Sequence, residues 1–248
     1  MRAAAGDDGG GDVTAASPSP ASGGRDPVPG RLLASGRWSD IYALDERRVL
    51  RRCRDMAGRP SWEPDVMRLA REGGVPVPEV LDVDGADMVL ERIDGPTMLA
   101  DLARRPWRAS EHARTLVDLH ERVHAVRAPD SLRVIGPAGD RLLHLDLHPA
   151  NVILSAAGPV LVDWQGAARG VAPTDLAQTY VLIVTSTFPG GAWQRTVGRA
   201  GQRGFALLFR GAADTAALDE ALPSAANRRL SDPSVQPEEI PRITRLIP

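Results

Sequence analysis

His144-Leu145-Asp146-Leu147-His148-Pro149-Ala150-Asn151 reads HLDLHPAN, and further on Val160–Trp164 reads VLVDW. These two stretches decide how the chain is understood. The first has the spacing H-x-D-x-x-x-x-N, which puts Asp146 and Asn151 at the two ends of a tight turn that enters a strand. Asp163 ends the next apolar strand, where a carboxylate is costly unless a cation or hydrogen bonds satisfy it. Asn151 and Asp163 both offer hard oxygen atoms and would flank one crevice. Such a pair suits Mg²⁺, which keeps several waters and takes phosphate oxygens as its other ligands. Asp146 is then left to accept a proton from an attacking hydroxyl, the division of labour of phosphoryl transfer. The rival reading is zinc held by His144, Asp146 and His148, which alternate onto one face of a strand. Against it, Pro149 turns the chain at once, His148 is the last histidine, and Asn151 and Asp163 have no role. A third reading is a structural turn, with His144 as a buried brace behind Leu142 and Leu143.

The bulk composition agrees with a globular protein. The chain has 248 residues, 43% hydrophobic and 25% charged, enough for one large or two small domains. A formal charge of -2 points to no nucleic-acid partner and no anionic membrane surface. Cys53 is the one cysteine, so there is no internal disulfide, which fits a reducing, cytoplasmic setting. No apolar run reaches the ~20 residues of a membrane span, and no apolar stretch near the N-terminus reads as a secretory signal. A monomer or a homodimer is expected. All 30 basic residues are arginine.

Residues 1–29 are Gly, Pro, Ala, Ser and Asp with almost no large apolar side chain, and are expected to be disordered. From Arg31 to Cys53 the pattern predicts three short strands with turns near Ser35-Gly36 and Asp45-Glu46. A helix follows over SWEPDVMRLAREGG, capped by Ser61 and ended by Gly73-Gly74. A hairpin with an Asp84-Gly85 turn then completes a five-stranded antiparallel sheet. The remainder is mainly helical: TMLADLARR; SEHARTLVDLHERVHAV, with Ser110 as cap; PTDLAQTYVLIVTSTF; 191–209; and segments near 214–221 and 237–246. NVILSAAGPVLVDW is a second small hairpin. The expected layout is α+β: a small antiparallel β-rich lobe over 30–94 and a larger helical lobe over 95–248.

HLDLHPAN followed by VLVDW resembles the aminoglycoside phosphotransferase and choline kinase-like family, a branch of the protein-kinase-like two-lobe fold. The resemblance runs from about residue 31 to about 185. The family loop usually carries Gly where this chain has Leu145. The resemblance implies an ATP- and Mg²⁺-dependent kinase acting on a hydroxylated small molecule, with Asp146 catalytic and Asn151 and Asp163 holding the metal. It sets Leu33–Tyr42 against the glycine-rich hairpin of kinases. Of that pattern Gly36 survives, to let backbone approach phosphates, and Ser39 could donate to one. Trp38 would pack the hairpin. The third-strand lysine position falls on Arg51, and Glu63 matches its helix partner. An arginine fork is not equivalent to an ammonium, which leaves room for a weak or non-catalytic nucleotide-binding protein. MVLERIDG looks like the hinge: the backbone of Glu91 and Ile93 would meet adenine and Leu90 would line the pocket. Asp175 matches a family aspartate that opens a helix and braces the catalytic loop; capping is its simplest role.

Overall fold

The computed structural model describes residues 30–36, 39–54, 61–187 and 192–248, with side chains described from residue 198 in the last range. The segment 1–29 expected to be disordered, and Trp38, expected to pack the first hairpin, lie outside the described residues.

Five strands form the first sheet: β1 (Leu32–Ser35), β2 (Ser39–Ala43), β3 (Arg48–Cys53), β4 (Val80–Asp84) and β5 (Asp87–Glu91). Their order is β1-β2-β3-β5-β4 and every pairing is antiparallel. Helix α1 (Glu63–Glu72) joins β3 to β4 and buries Val66, Met67 and Ala70. Period two along β3 puts Val49 and Arg51 on the face that meets the main core and Leu50 and Arg52 on the other; Arg52 pairs with Asp87 there at 2.6 Å. Ser61 does not cap α1. Trp62 holds that position without a side-chain bond, and Pro64 in the first turn needs no partner for its missing N–H. Gly74, at φ 83, ends the helix, and Val75 N–H reaches back to Ala70 O in a Schellman-type closure. The β4–β5 turn is Gly85-Ala86, one residue later than expected, because Asp84 and Asp87 pair directly.

The chain then crosses into the helical part. Gly95 has φ 152, and a Cβ there would stand 2.2 Å from Leu154 O and 2.8 Å from Leu154 C. Only glycine allows this backbone-on-backbone approach. Helix α2 (Met98–Arg104) is capped by Thr97 Oγ1, which accepts from Ala100 N–H. Helix α3 (Ala109–Ala125) is led in by a 3₁₀ turn at Pro106–Arg108. Ser110 therefore lies inside α3 and is no cap; its Oγ accepts from Arg114.

Three very short strands escaped sequence reading: β6 (Val134–Ile135), β7 (Arg141–Leu143) and β10 (Ala168–Gly170). They form a sheet ordered β6-β10-β7, with β10 parallel to β6. Two or three residues are too few to display a period. The predicted second hairpin is β8 (Val152–Ser155) with β9 (Gly158–Leu161). Helices α4 (Ala172–Thr185), α5 (Ala192–Ala212), α6 (Thr215–Leu230) and α7 (Ile240–Thr244) complete the chain. Helix α6 runs past the predicted end at 221, through Pro223, because Ala225 and Ala226 are buried with Ala177 and Val181 of α4. The main core is continuous from β3 and β5 (Val49, Met88, Leu90) through α3 (Leu116, Leu119, Val123) to Trp164 and Phe209. Among the described residues no helix is long and apolar enough to cross a membrane.

Gly95→Ala tests the crossing. Its Cβ would meet backbone, which cannot rotate away, in a conformation that L-residues disfavour. We expect a loss of about 2 kcal/mol or more in urea unfolding, the range of strain at a special φ/ψ combined with overpacking.

Candidate active site

The loop 144–151 is held from beneath. Asp175 of α4 is fully buried; its Oδ1 accepts from Leu145 N–H (2.8 Å) and its Oδ2 from His144 N–H (2.9 Å). His124 Nε2 lies 3.1 Å and His120 Nδ1 3.5 Å from Oδ2. Burial alone would raise the Asp175 carboxyl. The adjoining His120 and His124 rings outweigh it and hold the group well below the usual carboxylate range. Asp175 therefore does not cap its own helix, where Val171 is the N-cap; its side chain points into the loop. Thr179, one turn on, donates to Leu147 O (2.8 Å) and meets His120 Nε2 (3.0 Å). Sequence reading passed over His120, His124 and Thr179. The usable signal was spacing: His120/His124 on α3 and Asp175/Thr179 on α4 are each i,i+4 pairs, so each pair shares one helix face.

Within the loop, Leu145 has φ 62. A left-handed L-residue costs roughly 1–2 kcal/mol. The Leu145 side chain is buried with Leu143 and Ala168, and burying a leucine returns about 1.5–3 kcal/mol. Leucine can thus stand where the family loop usually has glycine. His144 is wholly buried, its ring centroid 4.7 Å from that of Trp164, and its Nδ1 accepts from Asp146 N–H at 3.2 Å. Burial pushes the imidazole down, against the pull of Asp175, Asp146 and Asp163.

On the open side, Asn151 Nδ2 donates to both Asp146 O and Asp146 Oδ2 at 2.9 Å. His148 Nδ1 accepts from Ala150 N–H, capping a 3₁₀ turn, and its Nε2 lies 3.5 Å from Asp146 Oδ1. The zinc grouping of His144, Asp146 and His148 does not assemble among the described residues. The histidine–carboxylate group that does come together is His120, His124 and Asp175, under the loop. Asp163 is past the end of β9, not within it. Its φ is 66, a conformation aspartate tolerates better than most residues.

Arg51 gathers the other side of the cleft. Its Nη1 is 2.5 Å from Glu63 Oε1, its Nε donates to Ser39 Oγ (3.2 Å), and its Nη2 is 3.4 Å from Asp163 Oδ1. Glu63 is wholly buried. Gly36 N–H donates to Ser39 O (2.8 Å) and closes the hairpin. Beside it, Asp40 accepts from Arg54 and Ser35, and these hydrogen bonds, that of Arg54 above all, hold its carboxyl down at about 2. At the end of β5, Leu90 is buried, and Glu91 N–H donates to Glu79 O. The Glu91 N–H is therefore already engaged. Among the described residues Ile93 makes no backbone hydrogen bond.

Residues 137–213 match the phosphotransferase enzyme family. A 78-residue stretch is 36% identical to thiamine kinase of Escherichia coli (strain SMS-3-5 / SECEC), covering 30% of this chain and 26% of that one. The match thus spans about a quarter of that curated relative. Among solved structures, a choline/ethanolamine kinase family protein from Mesorhizobium loti superposes with TM-score 0.53 at 18% identity, covering 88% of each chain. The streptomycin–ATP ternary complex of APH(2")-IIa gives TM-score 0.57 at 12% identity, covering 81% of this chain and 83% of that one. These likenesses show the fold: α+β, with an antiparallel sheet followed by a helical region, as in aminoglycoside phosphotransferases and choline/ethanolamine kinases. The matched family is the one that HLDLHPAN and VLVDW resemble.

The buried rings give a pH prediction. Burial holds both His120 and His144 below the ordinary imidazole value of about 6.5. The unfolded chain then binds protons that the folded chain refuses. This contribution to stability is complete above about pH 6.5 and is lost as pH falls towards the depressed folded values. The unfolding midpoint should fall by several degrees between about pH 7.5 and 5.5, less steeply in His120→Gln, as measured by calorimetry.

Proposed function

We propose that this chain, which carries the phosphotransferase enzyme family segment over residues 137–213, transfers the γ-phosphoryl group of ATP to a hydroxyl of a small molecule. The observation that carries the reading is the paired arrangement of Asp146 with Asn151, set opposite an Arg51 that reaches both Glu63 and Asp163. Residues 30–94 would bind nucleotide and 95–248 would supply the catalytic loop and the acceptor site. Adenine would lie against Leu90, bonded by Glu91 O and the Ile93 backbone. Gly36, Ser39 and Arg51 would face the phosphates, with Glu63 fixing the Arg51 fork.

The residues fit Mg²⁺. Asn151 spends its Nδ2 on Asp146, which turns its Oδ1 to other use, and the Asp163 carboxylate is 45% exposed. Together they would hold the metal, which when bound neutralises phosphate charge. Asp146, oriented by Asn151 and near His148, accepts the acceptor's hydroxyl proton. That oxygen forms the new bond to the γ-phosphorus as the bond to the β-bridging oxygen breaks and ADP leaves. A non-catalytic nucleotide-binding reading has one observation in its favour: the Arg51 fork already touches Asp163, so a metal and nucleotide must compete with it.

The two readings separate on variants. With an acceptor found by labelled ATP and Mg²⁺, Asp146→Asn should lower turnover by about 100-fold or more, with affinity for Mg·ATP retained in calorimetry. Asp163→Asn should abolish the Mg²⁺ dependence of ATP binding. Turnover by Asp146→Asn equal to that of the parent would overturn the catalytic assignment. Nucleotide binding without transfer over a broad alcohol panel would favour the non-catalytic reading. Arg51→Ala should weaken ATP binding about tenfold or more, the worth of a lost charge-assisted hydrogen bond.

A further inference from the structure

Among the described residues many arginines are matched by carboxylates; two beside the loop are not. Arg229 of α6 pairs with Asp232 (2.7 Å) and Glu239 (2.8 Å). Its neighbour Arg228, half-buried, donates only to the neutral Gln178 Oε1, at 2.7 Å. Among the described residues Arg228 makes no ion pair, and neither does Arg133, which donates to Gly166 O at 3.2 Å. The remaining N–H groups of Arg228 are not buried and unsatisfied, so they reach solvent. A half-buried guanidinium without a carboxylate is expensive, and burial pulls Arg228 below the usual arginine range, with Arg133 adding to the effect. Asp175 attracts it from a distance, but the Asp175 oxygens already serve His144, Leu145 and His124.

Both positions adjoin the catalytic loop. Gln178 lies one turn beyond Asp175, which clamps His144 and Leu145. Gly166 packs on the loop itself: a Cβ there would stand 2.9 Å from His144 O and 3.7 Å from Asp146 Cβ. Both arginines come from the helical part, whereas the groups assigned to nucleotide come from the five-stranded sheet and the segment that follows it. The lobe also offers no acidic field for a polycation: residues 176–248 hold eight arginines against six acidic residues.

We infer that Arg133 and Arg228 form an anion subsite for the acceptor, so that the alcohol phosphorylated at Asp146 carries a carboxylate or phosphate group. This rests on the kinase reading above. Two guanidinium forks suit either anion, with charge-assisted and potentially bidentate bonds.

The test is an acceptor panel with labelled ATP and Mg²⁺: hydroxy acids, phosphorylated alcohols, uncharged polyols, choline and an aminoglycoside. The inference expects an anionic alcohol to have the highest kcat/KM, and the first two arms tell carboxylate from phosphate. Arg228→Gln and Arg133→Gln should each raise that acceptor's KM about tenfold or more, one charge-assisted hydrogen bond. The KM for ATP should stay within about twofold, and the loss for an uncharged polyol should be small. Arg133 is exposed, so its variant keeps the test free of folding losses. Preference for choline, the aminoglycoside or a polyol overturns the inference, as does an unmoved KM in the Arg133 variant. If Asp146-dependent transfer to such an alcohol persists, the kinase reading survives that failure. If there is neither Mg·ATP binding nor transfer to any acceptor, both fall.

Discussion

One buried carboxylate holds the cleft in shape. Asp175 sits at the start of α4 with no exposure to water, and both of its oxygens are taken by main-chain N–H groups of the loop. A buried anion of this kind survives only where hydrogen bonds and nearby positive ring edges replace its hydration. His120 and His124 provide those from α3, and Thr179 adds a bond to Leu147 O. Two helices and the loop are therefore one polar assembly sealed inside an apolar core. The position of Asp146 follows from it, since Asp146 N–H is bound to a His144 ring that Trp164 backs.

Arg51 plays the corresponding part on the other wall. Its planar fork serves a buried glutamate with one nitrogen and reaches towards Asp163 with another. A lysine ammonium at the same position would be a point charge without this divided geometry. In a chain without lysine, the cation keeps its helix partner but acquires a second carboxylate across the cleft. On the proposed function, an arginine in place of a lysine here changes what phosphate oxygens would have to displace and leaves the net charge of the cleft the same.

Much of this was legible in the sequence, and what was not has physical reasons. The five strands and α1 follow from period-two and period-3.6 patterns long enough to be seen, and Gly36, Ser39, Arg51, Glu63 and Asp163 do come together. Ser61 and Ser110 were misread as caps because a serine before a helical run is a strong local signal. A first-turn proline in one case and a 3₁₀ lead-in in the other moved the helix start. The β6-β10-β7 sheet was invisible because its pairing is long-range and its strands hold two or three residues. For Asp175 the resemblance gave the bracing of the loop that its bonds to His144 and Leu145 N–H carry, whereas the local reading as a cap failed. Its real partners lie 30 and 31 residues away, beyond what cap chemistry can reveal. Leu145 showed only as a departure from a glycine pattern; its positive φ explains the pattern and its burial explains the departure.

The close passage of Gly95 over Leu154 has a mechanical consequence. The segment that leaves the sheet after Glu91 is pinned, backbone to backbone, on the β8–β9 hairpin, with Leu154 N–H bound to Pro96 O. That hairpin begins directly after Asn151 and ends two residues before Asp163. On the proposed function, the ledge that receives the base of a nucleotide leads into a segment pinned on the short hairpin whose two ends lie next to the ligands that meet its phosphate end. The span between them is then a dimension of the hairpin, and opening or closing the sheet above it would change access to the cleft without changing the ruler inside it.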